Sequence, residues 1–145
     1  MHLSSFEQGT PSPFAPVASQ THEGLLHNIS VLLVEDEIFI ATDLVARLEE
    51  AGAKVFFART FRRGMALIAD AERVFDIALL DVTLDAGRTC VPIADALKEA
   101  GVPILLHTGD LDRLGEVVAE IGAPVHPKPA AAEDVVRRLA TLLSD

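Results

Sequence analysis

The sequence predicts an α/β domain built on a five-stranded parallel sheet with helices on both faces. Two observations carry this prediction. From residue 29 onward, five short apolar runs alternate with five segments whose apolar residues recur at helical spacing. The apolar runs are also continuous, as is typical of strands buried on both faces of a parallel sheet. Strand–helix alternation of this kind implies right-handed crossover connections.

The predicted strands are short and mostly apolar. In chain order they are ISVLLVE from Ile29, AKVFFA from Ala53, DIALL from Asp76, VPILLHTG from Val102 and APVH from Ala123. Each of them is followed by a segment that is long enough to cross back over the sheet as a helix.

The predicted helices carry recognisable signals at their ends. They are DEIFIATDLVARLEEAG from Asp36, TFRRGMALIADA from Thr60, CVPIADALKEAG from Cys90, LDRLGEVVAEIG from Leu111 and AAAEDVVRRLATLL from Ala130. Thr60 is a candidate N-cap because its hydroxyl can accept a hydrogen bond from the first helical turn. Gly52 and Gly101 stand where glycine commonly ends a helix.

Residues 1–28 are predicted to form a flexible N-terminal arm, and residues 29–145 the folded domain. The arm contains three prolines within residues 11–16, scattered Ser and Thr, and no apolar period. The single cysteine, Cys90, excludes an internal disulfide and is expected to be a small core or helix-start residue.

The net charge of −10 disfavours nucleic acid or an anionic membrane as a partner. It favours instead a basic protein surface or a bound cation. No apolar run approaches the roughly 18 residues of a membrane helix, and the N-terminus lacks the pattern of a secretory signal. A cytoplasmic location is therefore expected.

Polar residues gather where the predicted strands end. Strand one is followed by Glu35, Asp36 and Glu37, strand three by Asp81, strand four by His107, Thr108 and Gly109, and strand five by Lys128. Each has an ordinary explanation alone, such as a helix-start acid, a turn residue or a surface lysine. Ligands of parallel sheets, however, bind beyond the carboxyl ends of the strands, where all of these residues converge.

The chemistry that such a group of residues suits is phosphoryl transfer. Clustered carboxylates need a hard cation such as Mg²⁺ to neutralise them. A carboxylate is also a nucleophile that can form an aspartyl phosphate. A lysine, a hydroxyl and backbone N–H groups stabilise the charge on the transferred group. This combination explains how the acid of Asp81 is tolerated at the tip of a core strand.

The chain from about residue 30 to 143 resembles the receiver domain of bacterial two-component response regulators. The motifs that carry the resemblance are VLLVEDE, ALLDV, the Thr of LLHTG, and PKP, in the family's order and spacing. The resemblance implies a flavodoxin-like (βα)₅ fold with strand order 2-1-3-4-5. For Mg²⁺, it implies direct ligation by Asp36, Asp81 and the backbone carbonyl of Thr83, with Glu35 acting through water.

For the phosphoryl group, the resemblance implies Asp81 as the acceptor, with contacts from Thr108 and Lys128. The backbone N–H groups of Thr83 and Gly109 would assist. Receivers of this family also turn an aromatic ring inward when the hydroxyl moves to the phosphate. The resemblance assigns that position to His126, which would either fill the space behind Thr108 or stay as a fixed, partly buried ring.

A narrower resemblance is to the alphaproteobacterial receivers called FAT GUY, whose fourth strand ends in Phe-Ala-Thr-Gly. Here that stretch is Leu106-His107-Thr108-Gly109, so only Thr-Gly agrees, and no Met-Pro follows the acceptor strand. Members of this subgroup are often single-domain proteins. The departures leave output and switching less determined than phosphorylation.

The resulting expectation is a single-domain receiver that takes its phosphoryl group from a sensor histidine kinase or a histidine phosphotransfer protein. Its output would be contact with another protein, onward phosphotransfer, or drainage of phosphate from a kinase. Its only catalysis would be self-phosphorylation and autodephosphorylation. One alternative is a receiver-like interaction module that takes no phosphate. Another is a phosphatase of the haloacid dehalogenase type, which needs a second acid where Thr83 stands.

Overall fold

Five parallel strands form the central sheet, as the sequence predicted. A computed structural model describes residues 24–145. Within them the strands are β1 (Ser30–Val34), β2 (Lys54–Ala58), β3 (Ile77–Asp81), β4 (Ile104–Thr108) and β5 (Val125–Pro127). Their order across the sheet is β2-β1-β3-β4-β5, and all four pairings are parallel. The flavodoxin-like topology is therefore confirmed.

The five predicted helices also form, each slightly shorter than its sequence pattern. They are α1 (Ile38–Glu50), α2 (Phe61–Ala69), α3 (Val91–Glu99), α4 (Leu111–Ile121) and α5 (Ala132–Ser144). Thr60 caps α2 as predicted, because its hydroxyl accepts a hydrogen bond of 3.1 Å from the Arg63 N–H. Nowhere in residues 24–145 is there a helix with the length and apolarity needed to cross a membrane.

Alternation along the strands divides the core into two layers, one on each face of the sheet. Leu32 and Val34 of β1 face the layer that α2, α3 and α4 cover. Val31 and Leu33 point the opposite way, into the layer covered by α1 and α5. Both faces of the sheet are therefore buried, which explains why the strands are apolar throughout.

The end of the predicted arm packs against the domain. Residues 1–23 lie outside the described residues, whereas residues 24–28 form a turn. Leu26 in this turn is fully buried in the α1/α5 layer, and its N–H donates to the Ala51 carbonyl over 2.9 Å. A Cβ at Gly52 would lie 2.9 Å from the His27 Cα, so this close approach requires glycine. The packed core thus includes Leu26, ahead of residue 29.

Candidate functional site

The carboxyl ends of the strands bring the predicted site residues together. Asp81 is the last residue of β3. Glu35 and Asp36 come directly after β1, the strand that pairs with β3. One carboxylate oxygen from each of Glu35, Asp36, Glu37 and Asp81 lies within 4.8 Å of the others. The four acids reach this arrangement because parallel strands in register end at the same edge of the sheet.

An open cleft of about 580 Å³ lies over this acidic cluster. The residues that line it include Asp36, Glu37, Asp81, Thr83, Thr108 and Lys128, together with Gly109. Thr108 ends β4, and its hydroxyl accepts a hydrogen bond of 3.3 Å from the Asp110 N–H. The cleft therefore collects the acids, the hydroxyl and the ammonium that the sequence predicted at one edge.

Lys128 provides the positive charge that holds the acids together. Its Nζ lies 2.8 Å from Glu37 Oε2, 3.1 Å from Glu35 Oε1 and 3.3 Å from Asp81 Oδ2. A Cβ at Gly109 would come within 3.3 Å of the Lys128 Cβ, so glycine leaves room for the lysine stem. Burial alone would lower the pKa of Lys128, but its hydrogen bond to Glu37 and the charges of Asp81 and Glu35 outweigh burial and raise it.

Burial and neighbouring acids raise the pKa values of two members of the cluster, Asp81 and Asp36. Asp81 is 6% exposed, and burial, followed by its hydrogen bond to Glu35 and the Glu35 charge, raises the pKa of Asp81 to about 7. The pKa of Asp36 is also raised, first by burial and then by its interaction with Asp81. A single lysine does not neutralise four carboxylates, so the cluster retains a deficit of positive charge.

The donor set of this cluster fits Mg²⁺. Mg²⁺ is bound through carboxylate oxygens plus waters, and the cleft presents acid oxygens beside open space. Asp36 and Asp81 line the cleft and would hold the ion, whereas both oxygens of Glu35 face Lys128. Thr83 lines the same cleft, and its buried hydroxyl has no hydrogen-bond partner among the described residues.

Mg²⁺ binding is expected to depend more on Asp36 than on Glu35. Glu35→Gln should weaken binding about tenfold, as is usual for a partner outside the direct ligand set. Asp36→Asn should weaken it substantially more, because a direct carboxylate bond is lost. Isothermal titration at pH 8 measures both, with Asp95→Asn on the exposed face of α3 as the control. Equal losses in the two site variants would contradict this ranking.

Two hydrogen bonds hold the loop between β3 and α3 in place. Asp85 accepts a hydrogen bond of 2.7 Å from the Phe61 N–H, which ties the loop to the start of α2. Cys90 donates its N–H to the Val82 carbonyl over 2.8 Å and is completely buried. Burial, together with the Asp81 charge, raises the pKa of the Cys90 thiol to about 12. Cys90 is thus the buried helix-start residue that the sequence indicated.

His107 is buried on the α1/α5 face of the sheet and is neutral near pH 7. It is 3% exposed, and burial, reinforced by the nearby Lys128 charge, lowers its pKa to about 4. Its Nδ1 lies 3.8 Å from Glu35 Oε1. Because the imidazole is uncharged and the distance exceeds that of a hydrogen bond, the pair is a packing contact and not an ion pair.

The position of His126 contradicts the first of the two roles that the resemblance left open for it, the ring that fills the space behind Thr108. His126 pairs with His107 across β4 and β5, and their ring centroids are 6.2 Å apart. Because side chains alternate along a strand, both rings face the α1/α5 layer, opposite to Thr108. On the face of Thr108, β5 presents Val125 and Pro127. His126 therefore does not stand behind Thr108, where the predicted ring movement requires it.

The residue that sequence reasoning overlooked is Glu37. The sequence places it only as an acid at the start of a helix, yet it makes the shortest of the contacts of Lys128, at 2.8 Å. A lysine 91 residues away in the chain gives no local signal of this pairing. The available indication was its position beside Glu35 and Asp36 at the end of β1.

The chain was compared with family models and with curated proteins. No family model matches the chain. A protein of Picosynechococcus sp., described as a probable transcriptional regulatory protein, is 30% identical in an alignment over 122 residues that covers 78% of this chain and 48% of that protein. The chain thus spans about half the length of that relative.

Solved structures of similar shape include receiver domains. The non-phosphorylated HemR receiver domain from Leptospira biflexa is 30% identical with a TM-score of 0.68, over 81% of this chain and 96% of that one. A receiver domain protein from Methanospirillum hungatei is 24% identical with a TM-score of 0.70, over 81% and 94%. The similarity supports phosphorelay signalling in general. The narrower FAT GUY assignment stays a prediction.

Proposed function

We propose that this chain, which has the fold of response regulator receiver domains, accepts a phosphoryl group on Asp81 in a Mg²⁺-dependent reaction. One observation supports this above the others. Asp81 stands at the edge of the cleft with Lys128 3.3 Å away and with Asp36 and Glu35 in the same carboxylate cluster. An acid whose pKa is raised to about 7 in such a cluster is typical of a functional carboxylate.

In the proposed reaction a carboxylate oxygen of Asp81 forms a bond to the phosphorus of the donor. The bond from phosphorus to the leaving atom breaks, and the leaving group departs with the electron pair. A histidine side chain that leaves takes up a proton from solvent, whereas acetate leaves as the anion. Mg²⁺ held by Asp36 and Asp81 would neutralise charge on the phosphoryl oxygens. Lys128 and the Thr108 hydroxyl line the same cleft, where each can donate a hydrogen bond to a phosphoryl oxygen.

The donor partner that fits this reaction is a sensor histidine kinase or a histidine phosphotransfer protein, because phosphohistidine is the donor for receivers. One structural neighbour is the receiver domain of the hybrid histidine kinase CckA, 18% identical with a TM-score of 0.64. We expect output through protein contact or onward phosphotransfer, and a cytoplasmic location stays a prediction of the sequence. Apart from its own phosphorylation and dephosphorylation, we expect no enzymatic activity.

The two alternatives are less well supported by the site. A haloacid-dehalogenase-type phosphatase needs a general acid two residues after the nucleophile, and Thr83 stands there. An interaction module that takes no phosphate would not need Asp36, Asp81, Thr108 and Lys128 around one cleft. Receiver chemistry is the function that uses all of these residues.

Intact-mass measurement tests the proposal. Incubation with acetyl phosphate and Mg²⁺ should add one phosphoryl group, and chelation of Mg²⁺ should prevent the addition. Phosphotransfer from a panel of purified histidine kinases would then identify the donor. A chain that stays unmodified by acetyl phosphate and by every kinase, while Mg²⁺ binds, would overturn the proposal in favour of the interaction module.

A further inference from the structure

Lys128 has no free hydrogen-bond donor in the resting site. An ammonium group carries three N–H donors. Three carboxylates surround Lys128 Nζ at hydrogen-bonding distance, those of Glu37, Glu35 and Asp81. A phosphoryl group that arrives at Asp81 can receive a hydrogen bond from Lys128 only if one of these carboxylates gives up its hydrogen bond to the ammonium group.

The free-energy cost of breaking the contact with Lys128 differs among the three carboxylates, because their side chains differ in exposure. The side chain of Glu35 is 1% exposed and that of Asp81 is 8% exposed, whereas that of Glu37 is 59% exposed. If Glu35 lost the lysine, a buried carboxylate would be left without compensation, and Asp81 stays next to Lys128 because the incoming group is bonded to it. An exposed carboxylate exchanges its cation for water at little cost, because exposed ion pairs contribute roughly 0–1 kcal/mol.

We propose that Glu37 is the exchangeable partner of Lys128: it holds the ammonium group in the resting site and is displaced by a phosphoryl oxygen. Glu35 keeps its contact throughout and fixes the lysine at the cleft. Glu37 is in these terms a positioning residue that opposes the phosphorylated state. This inference rests on the proposed function, since it concerns the group that Asp81 receives.

The local structure allows the side chain of Glu37 to be tested alone. Its backbone N–H donates to Glu35 Oε2 over 3.2 Å, and this contact survives any change of the Glu37 side chain. Among the interactions that raise the pKa of Lys128 against the effect of burial, the hydrogen bond to Glu37 is the largest. Glu37→Gln keeps the shape of the residue and removes the charge that competes for Lys128.

The affinity test uses beryllofluoride, which stands in for the phosphoryl group, at saturating Mg²⁺. The chain has neither Trp nor Tyr, so binding is followed by NMR of the Thr108 and Gly109 amides. Glu37→Gln should bind beryllofluoride about two- to fivefold more tightly than the wild type, in line with the loss of one exposed ion pair. Glu49→Gln, on the exposed face of α1, the helix that Glu37 precedes, should leave the affinity unchanged. An affinity for Glu37→Gln equal to or below that of the wild type overturns the inference.

Removal of a negative charge would also strengthen anion binding by long-range electrostatics, without any exchange at Lys128. The crystal structure of the beryllofluoride complex therefore provides a second readout. Lys128 Nζ should contact a fluorine atom and Glu35, with Glu37 turned to solvent. Retention of the Lys128–Glu37 contact overturns the inference whatever the affinities are. The proposed function fails separately, if the wild type does not bind beryllofluoride or if Asp81→Asn binds it equally well.

Discussion

Asp81→Asn is expected to abolish the uptake of a phosphoryl group from acetyl phosphate and Mg²⁺. The amide keeps the size of the side chain but has no anionic oxygen to attack phosphorus. The other acids of the cluster are engaged otherwise: Glu35 directs its oxygens to Lys128, the exposed Glu37 pairs with the same lysine, and Asp36 would hold Mg²⁺. Intact-mass spectrometry of both proteins after the same incubation measures the loss.

The matched control for this experiment is Asp95→Asn, which removes an exposed aspartate on α3, a helix outside the cleft lining. This variant should take up phosphate at the wild-type level. Fragmentation of the modified wild-type protein should place the added mass on the peptide that contains Asp81. Uptake that persists in Asp81→Asn would move the acceptor to another acid of the cluster.

Lys128→Met is expected to lower the free energy of unfolding by about 3 kcal/mol at pH 8 in the absence of Mg²⁺. Methionine keeps most of the length of the side chain but leaves the 1% exposed Glu35 without a cation. Urea unfolding followed by far-UV circular dichroism measures the loss. Lys54→Met, at an exposed position of β2, removes a lysine without buried partners and should change stability by less than about 0.5 kcal/mol.

The same substitution should have a smaller effect at lower pH. Because the pKa of Lys128 is raised on folding, its stabilising contribution is complete below the ordinary lysine pKa of 10.5, and therefore at pH 8. Asp81 has a pKa of about 7, so it becomes neutral as the pH falls to about 5.5. A neutral Asp81 is stabilised less by the charge of Lys128, and the loss of the lysine then costs less free energy. The destabilisation should shrink between pH 8 and pH 5.5. A constant loss would mean that Asp81 does not share Lys128.

The fold could be predicted because its signals are local. Apolar runs of strand length and helical spacing recur along the chain, and the alternation rule converts them into a parallel sheet. Most of the site followed from the same rule, since it places Asp36, Asp81, Thr108 and Lys128 at one edge without any knowledge of side-chain direction.

The details that could not be predicted depend on the direction in which side chains point. The contact of Glu37 with Lys128 requires knowing where two long side chains point across the cleft. The face on which His126 lies depends on the register of β5, a strand of three residues that gives no period of its own. Leu26 follows a proline-rich segment, and its burial depends on the turn that closes against Ala51.

The burial of Cys90 makes the chain's lone thiol a natural reporter of conformational opening. Thiolate is the form that reacts with alkylating agents, and a buried thiol with a pKa of about 12 supplies almost none of it at neutral pH. Alkylation of the native chain must therefore wait until the segment from Val82 to Cys90 separates from the sheet. The labelling rate at this single atom would measure how often that segment, which begins next to Asp81, leaves its place.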